Sequence, residues 1–273
     1  MIKIKQLGNG GAFDYKSTNS SFLIDTGKDS YFLFDCGTNV FAELRKQHDE
    51  GEIDLSKLKY VYISHMDDDH VGSVKTLIYY MYFAFGKRLQ VISVGDDDRA
   101  RDVYGPLCSY TDDIDCIVEN DEKIIDDLFN MVPIGPRQTF KVDGFSITPL
   151  ETKHFKACYG LIFKLIQNTS PNQIGDSIFL ISGDTRAHAV VRDQLDKVAT
   201  KFAFHDFSNW DVPGSQKHCC ETDFNSKYKL IKDKIIKYHN NGDFDGSWRE
   251  FDTIAKMISK KVQDTKEKNA KGN

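Results

Sequence analysis

The chain has 273 residues, of which 40% are hydrophobic and 28% charged, and this composition is that of an ordinary globular protein with a large buried core. The net charge of −5 opposes a protein that binds long duplex nucleic acid through its backbone, although small phosphorylated substrates remain compatible with it. No apolar run approaches the ~18 residues of a membrane span, and the first residues lack a signal-peptide core, so we expect a cytoplasmic protein without membrane contact.

The first part of the chain predicts strands and helices in alternation. Apolar periodicity predicts strands at 2–7, 20–25, 31–37, 59–64 and 89–94 and helices at 39–49 and 71–85. The glycines at 8, 10 and 11 follow the first strand, where an ordinary turn explains them more simply than a position beneath a site. The acidic stretch from Asp96 to Asp127 has no accompanying histidines and predicts a solvated face.

The second part is again rich in strands. These are predicted at 139–142, 145–150, 160–166, 177–182, 201–207 and in the segment IIKYHNN, with helices at 187–198, from about 221, and at 247–262. Two successive β-rich halves predict an α/β protein in which two mixed sheets pack face to face with helices outside, an αββα sandwich. We expect one domain over 1–264, a frayed polar tail at 265–273, and free thiols at the scattered cysteines.

The stretch from Tyr60 to Ser73 reads as a buried strand that opens into a loop of metal-binding residue types. Its polar end contains His65, Asp67, Asp69 and His70. Imidazole and carboxylate ligands together suit zinc, manganese or iron, and this density is typical of a two-metal hydrolytic centre. The alternative is a solvated acidic turn between unrelated histidines.

Other predicted strands also end in polar groups, namely Asp35, His154, Asp184 and His239. This recurrence supports a site at the strand ends, although His154 alone is also explained as a hydrogen-bonded polar residue. The remaining histidines have simpler interpretations. His205 is expected to be a structural hydrogen-bonding residue, and His48 and His188 are expected on helix surfaces without partners.

The ordered segments LGNGGAF, FLFDCG, SHMDDDHVGS, SGDTR and KYHNN together resemble the metallo-β-lactamase fold superfamily, and within it the ribonuclease Z branch of phosphodiesterases. The resemblance spans most of the chain. It implies two divalent metal ions, the first held by His65, Asp67 and His154. The implied ligands of the second are Asp69, His70 and His239, with Asp184 bridging both ions.

The resemblance also implies a proton-transfer pair. The segments HDFS and HCC occupy the places of the branch's His-Glu-Ala-Thr and His-Ser-Thr segments, so His218 is implied as general acid and Asp206 as the carboxylate that orients it. Asp69 is the implied base. The alternative for His218 is that it, rather than His239, completes the second metal site.

Asp67 departs from the superfamily pattern, because the second histidine of His-x-His-x-Asp-His belongs at its position. The resulting HxDxDH motif is similar to that of the hydrolase domain of competence-type DNA-uptake proteins. A carboxylate in place of an imidazole makes the site harder and favours manganese, iron or magnesium relative to zinc. Zinc or manganese are therefore both expected, and iron or magnesium stay open.

Ribonuclease Z clamps tRNA with a projecting arm, and the connection IQNTSPNQIGDS is too short for one. We therefore expect a phosphodiesterase for a small substrate, a cyclic nucleotide or short oligonucleotide, resembling the armless cyclic-nucleotide-degrading members that phages use against immune signalling. Alternatives are a nuclease on single-stranded DNA or RNA and a non-catalytic metal-binding interaction module. A homodimer is also possible by this resemblance, with the apolar segment 79–85 either contributing to it or forming only core.

Overall fold

The computed structural model describes residues 1–95, 128–166, 178–208, 217–239 and 245–271, so the predicted acidic face at 96–127 and most of the short connection at 166–177 lie outside the described residues. The strands are β1 Lys3–Gly8, β2 Ser21–Asp25, β3 Tyr31–Phe34, β4 Leu58–Ile63, β5 Leu89–Val94, β6 Phe129–Ile134, β7 Phe140–Val142, β8 Phe145–Glu151, β9 Tyr159–Leu165, β10 Ile178–Ile181, β11 Thr200–Asp206, β12 Ile235–Tyr238 and β13 Arg249–Glu250. The α-helices are α1 Val40–Asp49, α2 Asp68–Val71, α3 Val74–Phe85, α4 Ala189–Asp196, α5 Glu221–Lys227 and α6 Phe251–Lys271.

The strands form two mixed sheets. The first has the order β13-β1-β2-β3-β4-β5-β6, and the second has the order β12-β11-β10-β9-β8-β7. In the first sheet β3, β4, β5 and β6 run parallel, and in the second β10, β11 and β12 run parallel. The carboxyl ends of parallel strands in one sheet share an edge, which is where ligands bind in open α/β sheets.

Strands β2 and β3 are buried on both faces, which explains their nearly continuous apolar sequences. In β2, Phe22 and Ile24 face the core between the sheets, whereas Leu23 lies in the cluster beneath α1 and α3. The inter-sheet core also contains Phe163 and Phe179 of the second sheet, stacked with their ring centroids 4.6 Å apart. The predicted αββα sandwich is therefore confirmed, with helices covering the outer faces.

The helices occupy three places. α1 and α3 cover the first sheet, and α4 and α5 cover the outer face of the second. The last helix instead places Phe251, Ile254 and Ile258 in the inter-sheet core. On α3, Leu77 is fully buried while Phe83 is 65% exposed, so this predicted apolar helix is only in part a core element. No helix among the described residues is long and apolar enough to cross a membrane.

Several element predictions differ from the structure. The helix predicted from position 71 is interrupted at 72–73, because the Ser73 N–H donates to the Cys36 carbonyl 3.1 Å away instead of continuing the helical ladder. Strand β6 was missed, since it contains Pro133, a residue that is tolerated at a sheet edge such as this one. α6 continues to Lys271, beyond the predicted helix end at 262, through good helix formers with a Gln263–Glu267 hydrogen bond.

The surface assignments of two histidines are wrong. His48 is half-buried on α1, with Nδ1 3.3 Å from the Ile53 carbonyl oxygen. His188 precedes α4 and is only partly exposed, with both ring nitrogens buried. Burial and the neighbouring His205 hold the pKa of His188 down at about 4. By contrast His205 is a buried structural residue as expected, with Nε2 3.0 Å from the Tyr228 hydroxyl.

Candidate active site

Asp35 ties the ends of two parallel strands together at the site edge. It directly follows β3 with a positive φ of 61°, a left-handed conformation that aspartate tolerates better than most residues. Its carboxylate accepts hydrogen bonds from the Ser64 backbone N–H at 2.8 Å and the Ser64 hydroxyl at 2.7 Å. It also lies 2.7 Å from Nδ1 of His70, which turns Nε2 of that ring toward the neighbouring carboxylates.

The loop that carries the predicted ligands is held against the turn after β3. The Cys36 N–H donates to the His70 carbonyl at 2.8 Å, and the Thr38 N–H donates to the Asp68 carbonyl at 3.1 Å. Gly37 lies between these two bonds, where a Cβ would overlap the carbonyl oxygen of Asp69. The two loops therefore approach so closely that only glycine fits at this position.

One group of donor atoms gathers around His65. Its Nε2 lies 3.4 Å from Asp67 Oδ2 and 3.8 Å from Asp184 Oδ2. His154 arrives from the loop after β8 and places its Nε2 3.7 Å from the same Asp67 oxygen. The Nδ1–H of His154 donates to the Lys217 carbonyl at 3.1 Å, which orients the ring with Nε2 inward.

A second group gathers around Asp69. Its Oδ2 lies 3.3 Å from Nε2 of His239 and 3.5 Å from Nε2 of His70. The Oδ1 of Asp184 lies 3.2 Å from His70 Nε2 and 3.7 Å from His239 Nε2. Asp184 thus directs one carboxylate oxygen to each group, which is the arrangement of a bridging ligand.

The cluster fits divalent cations. Donor atoms bound to one ion at about 2.1 Å lie about 3.0 to 3.5 Å apart, close to the separations within each group. The Nε2 atoms of His65, His70 and His154 and Oδ1 of Asp184 are buried without a hydrogen-bond partner among the described residues. Buried polar atoms are rarely left unpaired, so the gathering of these atoms in two groups is evidence for ligands that accept their lone pairs.

His239 is positioned through its backbone. It follows β12 with a positive φ of 66°, and such strain in a non-glycine residue persists only where surrounding contacts impose it. Its N–H donates to the side-chain oxygen of Asn9 at 2.9 Å. Asn9 belongs to the glycine-rich connection after β1, so this segment does lie beneath the site and is more than an ordinary turn.

His218 and Asp206 form a pair at the side of the cluster. The Oδ2 of Asp206 accepts a hydrogen bond from the Thr185 backbone N–H at 2.8 Å and lies 2.9 Å from Nδ1 of His218. The His218 ring stacks on His239, with centroids 4.7 Å apart. Because Asp206 occupies its Nδ1, the Nε2 of His218 is the nitrogen left for chemistry.

Charge coupling within the cluster sets the protonation of these groups. Burial opposes protonation of His70, but the carboxylates of Asp184 and Asp35 outweigh burial and raise its pKa well above the usual histidine value. Burial likewise opposes protonation of His218, yet Asp206 raises its pKa. Burial lowers the pKa of His154 and favours the neutral ring that ligates a metal.

Lys156 is a component of the site that the sequence did not indicate. Its ammonium group forms an ion pair with Oδ1 of Asp67, the carboxylate that departs from the superfamily pattern. The other oxygen of Asp67 faces His65 and His154. Asp68 is exposed, and its backbone carbonyl accepts the Thr38 N–H in the loop packing.

All predicted site residues therefore lie in one cluster, at the carboxyl ends of strands from both sheets. Two mixed sheets packed face to face, with a histidine and carboxylate cluster at this edge, define the metallo-β-lactamase fold. The chain belongs to the family described as Anti-Pycsar protein Apyc1, whose profile matches residues 2–261.

Individual relatives agree with this assignment. Ribonuclease Z of Methanocaldococcus jannaschii is 25% identical over 167 residues, which cover 61% of this chain and 49% of that protein. The Anti-Pycsar protein Apyc1 of Bacillus phage BSP38 is 33% identical over 86 residues, 32% of each protein. The chain thus matches only half or less of the length of these relatives.

Solved structures share the fold. The crystal structure of the metallo-β-lactamase fold protein YhfI from Bacillus subtilis superposes with a TM-score of 0.64 at 17% identity. The superposition covers 96% of this chain and 93% of that chain. At this identity the likeness establishes the architecture only.

Proposed function

We propose that the chain is a dinuclear phosphodiesterase that hydrolyses a small phosphodiester, foremost a cyclic mononucleotide. The observation that carries the proposal is the pair of donor groups that share Asp184, each with buried nitrogens directed at a common point. His65, Asp67 and His154 would hold one divalent ion. Asp69, His70 and His239 would hold the other, with Asp184 between them.

Two divalent ions held by these residues would supply Lewis acidity and would lower the pKa of water toward about 7. The donor set combines imidazole nitrogens with carboxylate oxygens, and the extra carboxylate of Asp67 favours manganese or iron over zinc. The ion pair with Lys156 occupies one Asp67 oxygen and offsets its charge, which moderates this preference. Zinc and manganese are therefore both consistent with the site.

The chain's own residues provide the proton transfers. Asp69 would accept the proton of the attacking water, whose oxygen forms the new bond to phosphorus. His218 would donate a proton from Nε2 to the departing oxygen as the bond between phosphorus and that oxygen breaks. Asp206 holds the opposite nitrogen of that ring 2.9 Å away and stabilises its protonated form.

The surroundings of His154 favour a nucleotide of small size. Phe155 is 52% exposed, and its ring lies 4.5 Å from the ring of His154. Lys217 places its ammonium 4.9 Å from the Phe155 ring centroid. An exposed aromatic ring with a cation beside the cluster suits one stacked base and one phosphate. The membership of a family of cyclic-nucleotide phosphodiesterases supports the same substrate class.

A substrate panel tests the proposal. Metal-loaded protein is incubated with cyclic mononucleotides, short oligonucleotides and bis(p-nitrophenyl) phosphate, and the products are separated by chromatography. We expect hydrolysis of cyclic mononucleotides that is lost with Asp184→Asn and retained with His48→Ala, a histidine variant outside the cluster. Phe155→Ala is expected to raise KM more than it lowers kcat, because stacking contributes about 1–3 kcal/mol per base.

The relationship to ribonuclease Z supports a second candidate, a nuclease on single-stranded DNA or RNA. The same panel separates the two. Hydrolysis of oligonucleotides without hydrolysis of any cyclic mononucleotide would contradict the proposal and favour the nuclease.

A further inference from the structure

A cavity of about 480 Å³ opens beside the loops that carry His154 and Asp184, between α4 and α5. We call it the basic cavity. It is lined by Lys153, Arg186, Ala187, His188, Ala189, Arg192 and Lys227. None of these lining residues belongs to the metal cluster or to the His218–Asp206 pair, and none is acidic.

The basic cavity keeps uncompensated positive charge. Arg192 forms an ion pair with the adjacent Asp193 at 3.0 Å, and Lys227 forms one with Asp223 at 3.3 Å, both of them at the surface. Exposed pairs of this kind are weak and readily exchange partners. Within the described residues neither of the other two cations, Lys153 and Arg186, has a carboxylate partner.

His188 provides a polar group that also lacks a partner. Its Nδ1 and Nε2 are both buried and without a hydrogen bond in the described parts of the chain, although its backbone N–H donates to the Tyr228 hydroxyl at 3.0 Å. A neutral imidazole always carries one N–H donor, and a buried donor is rarely left unsatisfied. An acceptor within the cavity would satisfy it.

The position of His188 at the start of α4 adds to the preference for an anion. The His188 side chain makes no capping hydrogen bond to the helix, and the first-turn residue Ala189 lines the cavity. The amide groups of a helix's first turn carry partial positive charge and point out of the helix. These amides therefore add to the positive electrostatic potential that Lys153 and Arg186 create in the basic cavity.

We propose that the basic cavity binds a phosphate-bearing small molecule, with its phosphate between Lys153 and Arg186 and a hydrogen bond from His188. A volume of about 480 Å³ is enough for a ligand larger than phosphate itself, such as a nucleoside monophosphate. The site is separate from the catalytic cluster, and the proposal does not rest on the proposed function.

The basic cavity is nevertheless joined to the cluster by short connections. The Arg186 N–H donates to the Lys153 carbonyl at 3.1 Å, and the Lys153 N–H donates to the Thr185 hydroxyl at 3.1 Å. The two cations thus stand on the same loops as His154 and Asp184. An occupant of the cavity would tie these two loops together.

Calorimetric titration of metal-free, chelator-treated protein tests the proposal, because chelation prevents phosphate from binding through metal ions. The probes are inorganic phosphate, adenosine monophosphate and adenosine. We expect one binding site for both phosphate-bearing probes and none for adenosine. Tighter binding of the nucleotide than of phosphate would assign the site to a nucleotide, and equal affinities would assign it to the phosphate group alone.

The variant Lys153→Met with Arg186→Gln removes both unpaired cations and is expected to weaken binding by at least about tenfold, as the loss of charge-assisted hydrogen bonds implies. Its matched control is Lys141→Met with Arg137→Gln, two exposed cations of which Lys141 lies on β7 and Arg137 in the turn before it. Melting temperature verifies that both variants fold. If the cavity variant does not fold, Arg192→Gln is used, for which weaker phosphate binding is again expected.

Three results would overturn the proposal. The first is the absence of phosphate binding to the metal-free protein at millimolar concentration. The second is equal affinity of the cavity variant and its control. The third is binding that appears only after metal ions are restored, which would place the phosphate at the catalytic cluster.

Discussion

Replacement of His218 by alanine tests the proton-transfer pair most sharply. In the proposed arrangement His218 is the proton donor and not a metal ligand. Its Nδ1 is held by Asp206 at 2.9 Å, although it also lies 3.7 Å from Asp184 Oδ2, in a group that could itself hold a metal ion. Removing the ring should therefore leave metal binding intact while deleting the proton donor to the leaving oxygen.

The expected loss depends on the leaving group. General acid catalysis contributes about 100- to 10,000-fold, which corresponds to about 3–5 kcal/mol of activation free energy. A nucleoside alkoxide is a poor leaving group and needs the full contribution. A p-nitrophenolate departs without protonation, so bis(p-nitrophenyl) phosphate should lose little rate in the same variant.

The assay compares kcat for a cyclic mononucleotide and for bis(p-nitrophenyl) phosphate in parent protein and His218→Ala, with metal content measured on each sample. The account predicts a large loss for the nucleotide and a loss below about tenfold for the activated diester. Equal losses on both substrates together with a missing metal ion would refute the reasoning, because His218 would then be a metal ligand.

Three further outcomes follow from contacts around the cluster. Asp35→Asn removes the carboxylate that holds Nδ1 of His70. The variant should bind metal about 10- to 100-fold more weakly, measured by competition with a chelator. Unchanged metal affinity would exclude this orienting role of Asp35. Gly37→Ala should lower the free energy of unfolding, measured by urea denaturation, by about 3 kcal/mol, because the added Cβ overlaps the Asp69 carbonyl. An unchanged midpoint of the urea denaturation curve would contradict the close packing at Gly37. The raised pKa values of His70 and His239 mean that both rings carry protons at neutral pH before metal binds. Metal binding should therefore release protons and strengthen as pH rises. Calorimetric heats of metal binding that do not vary with the ionisation enthalpy of the buffer would contradict this.

The sequence was most informative where local pattern and chemistry coincide. The strand that ends at Ile63 and the loop with His65, Asp67, Asp69 and His70 are adjacent in the chain, so an apolar run and its polar end identify them together. His154, Asp184 and His239 were visible as polar groups at predicted strand ends, but their assignment to particular metal ions came from the ordered resemblance. Their convergence depends on two sheets packing face to face, which no local pattern specifies.

The elements that were missed depend on long-range contacts. Asp35 was visible as a polar strand end, but its bond to His70 joins positions 35 residues apart. Lys156 gives no signal, since a lysine in a loop is ordinary until Asp67 lies beside it. The sequence predicted His188 on a helix surface, but His188 precedes α4 and its backbone N–H donates to the Tyr228 hydroxyl, a contact 40 residues away along the chain.

The most direct test of the account is the number of metal ions needed for activity. Chelator-treated protein is titrated with manganese or zinc, while bound metal and the rate of phosphodiester hydrolysis are measured on the same samples. The account predicts an inactive metal-free protein, a rate that reaches its plateau at two ions per chain, and loss of that plateau in Asp184→Asn. Full activity with one ion per chain, or without metal, would contradict the dinuclear site.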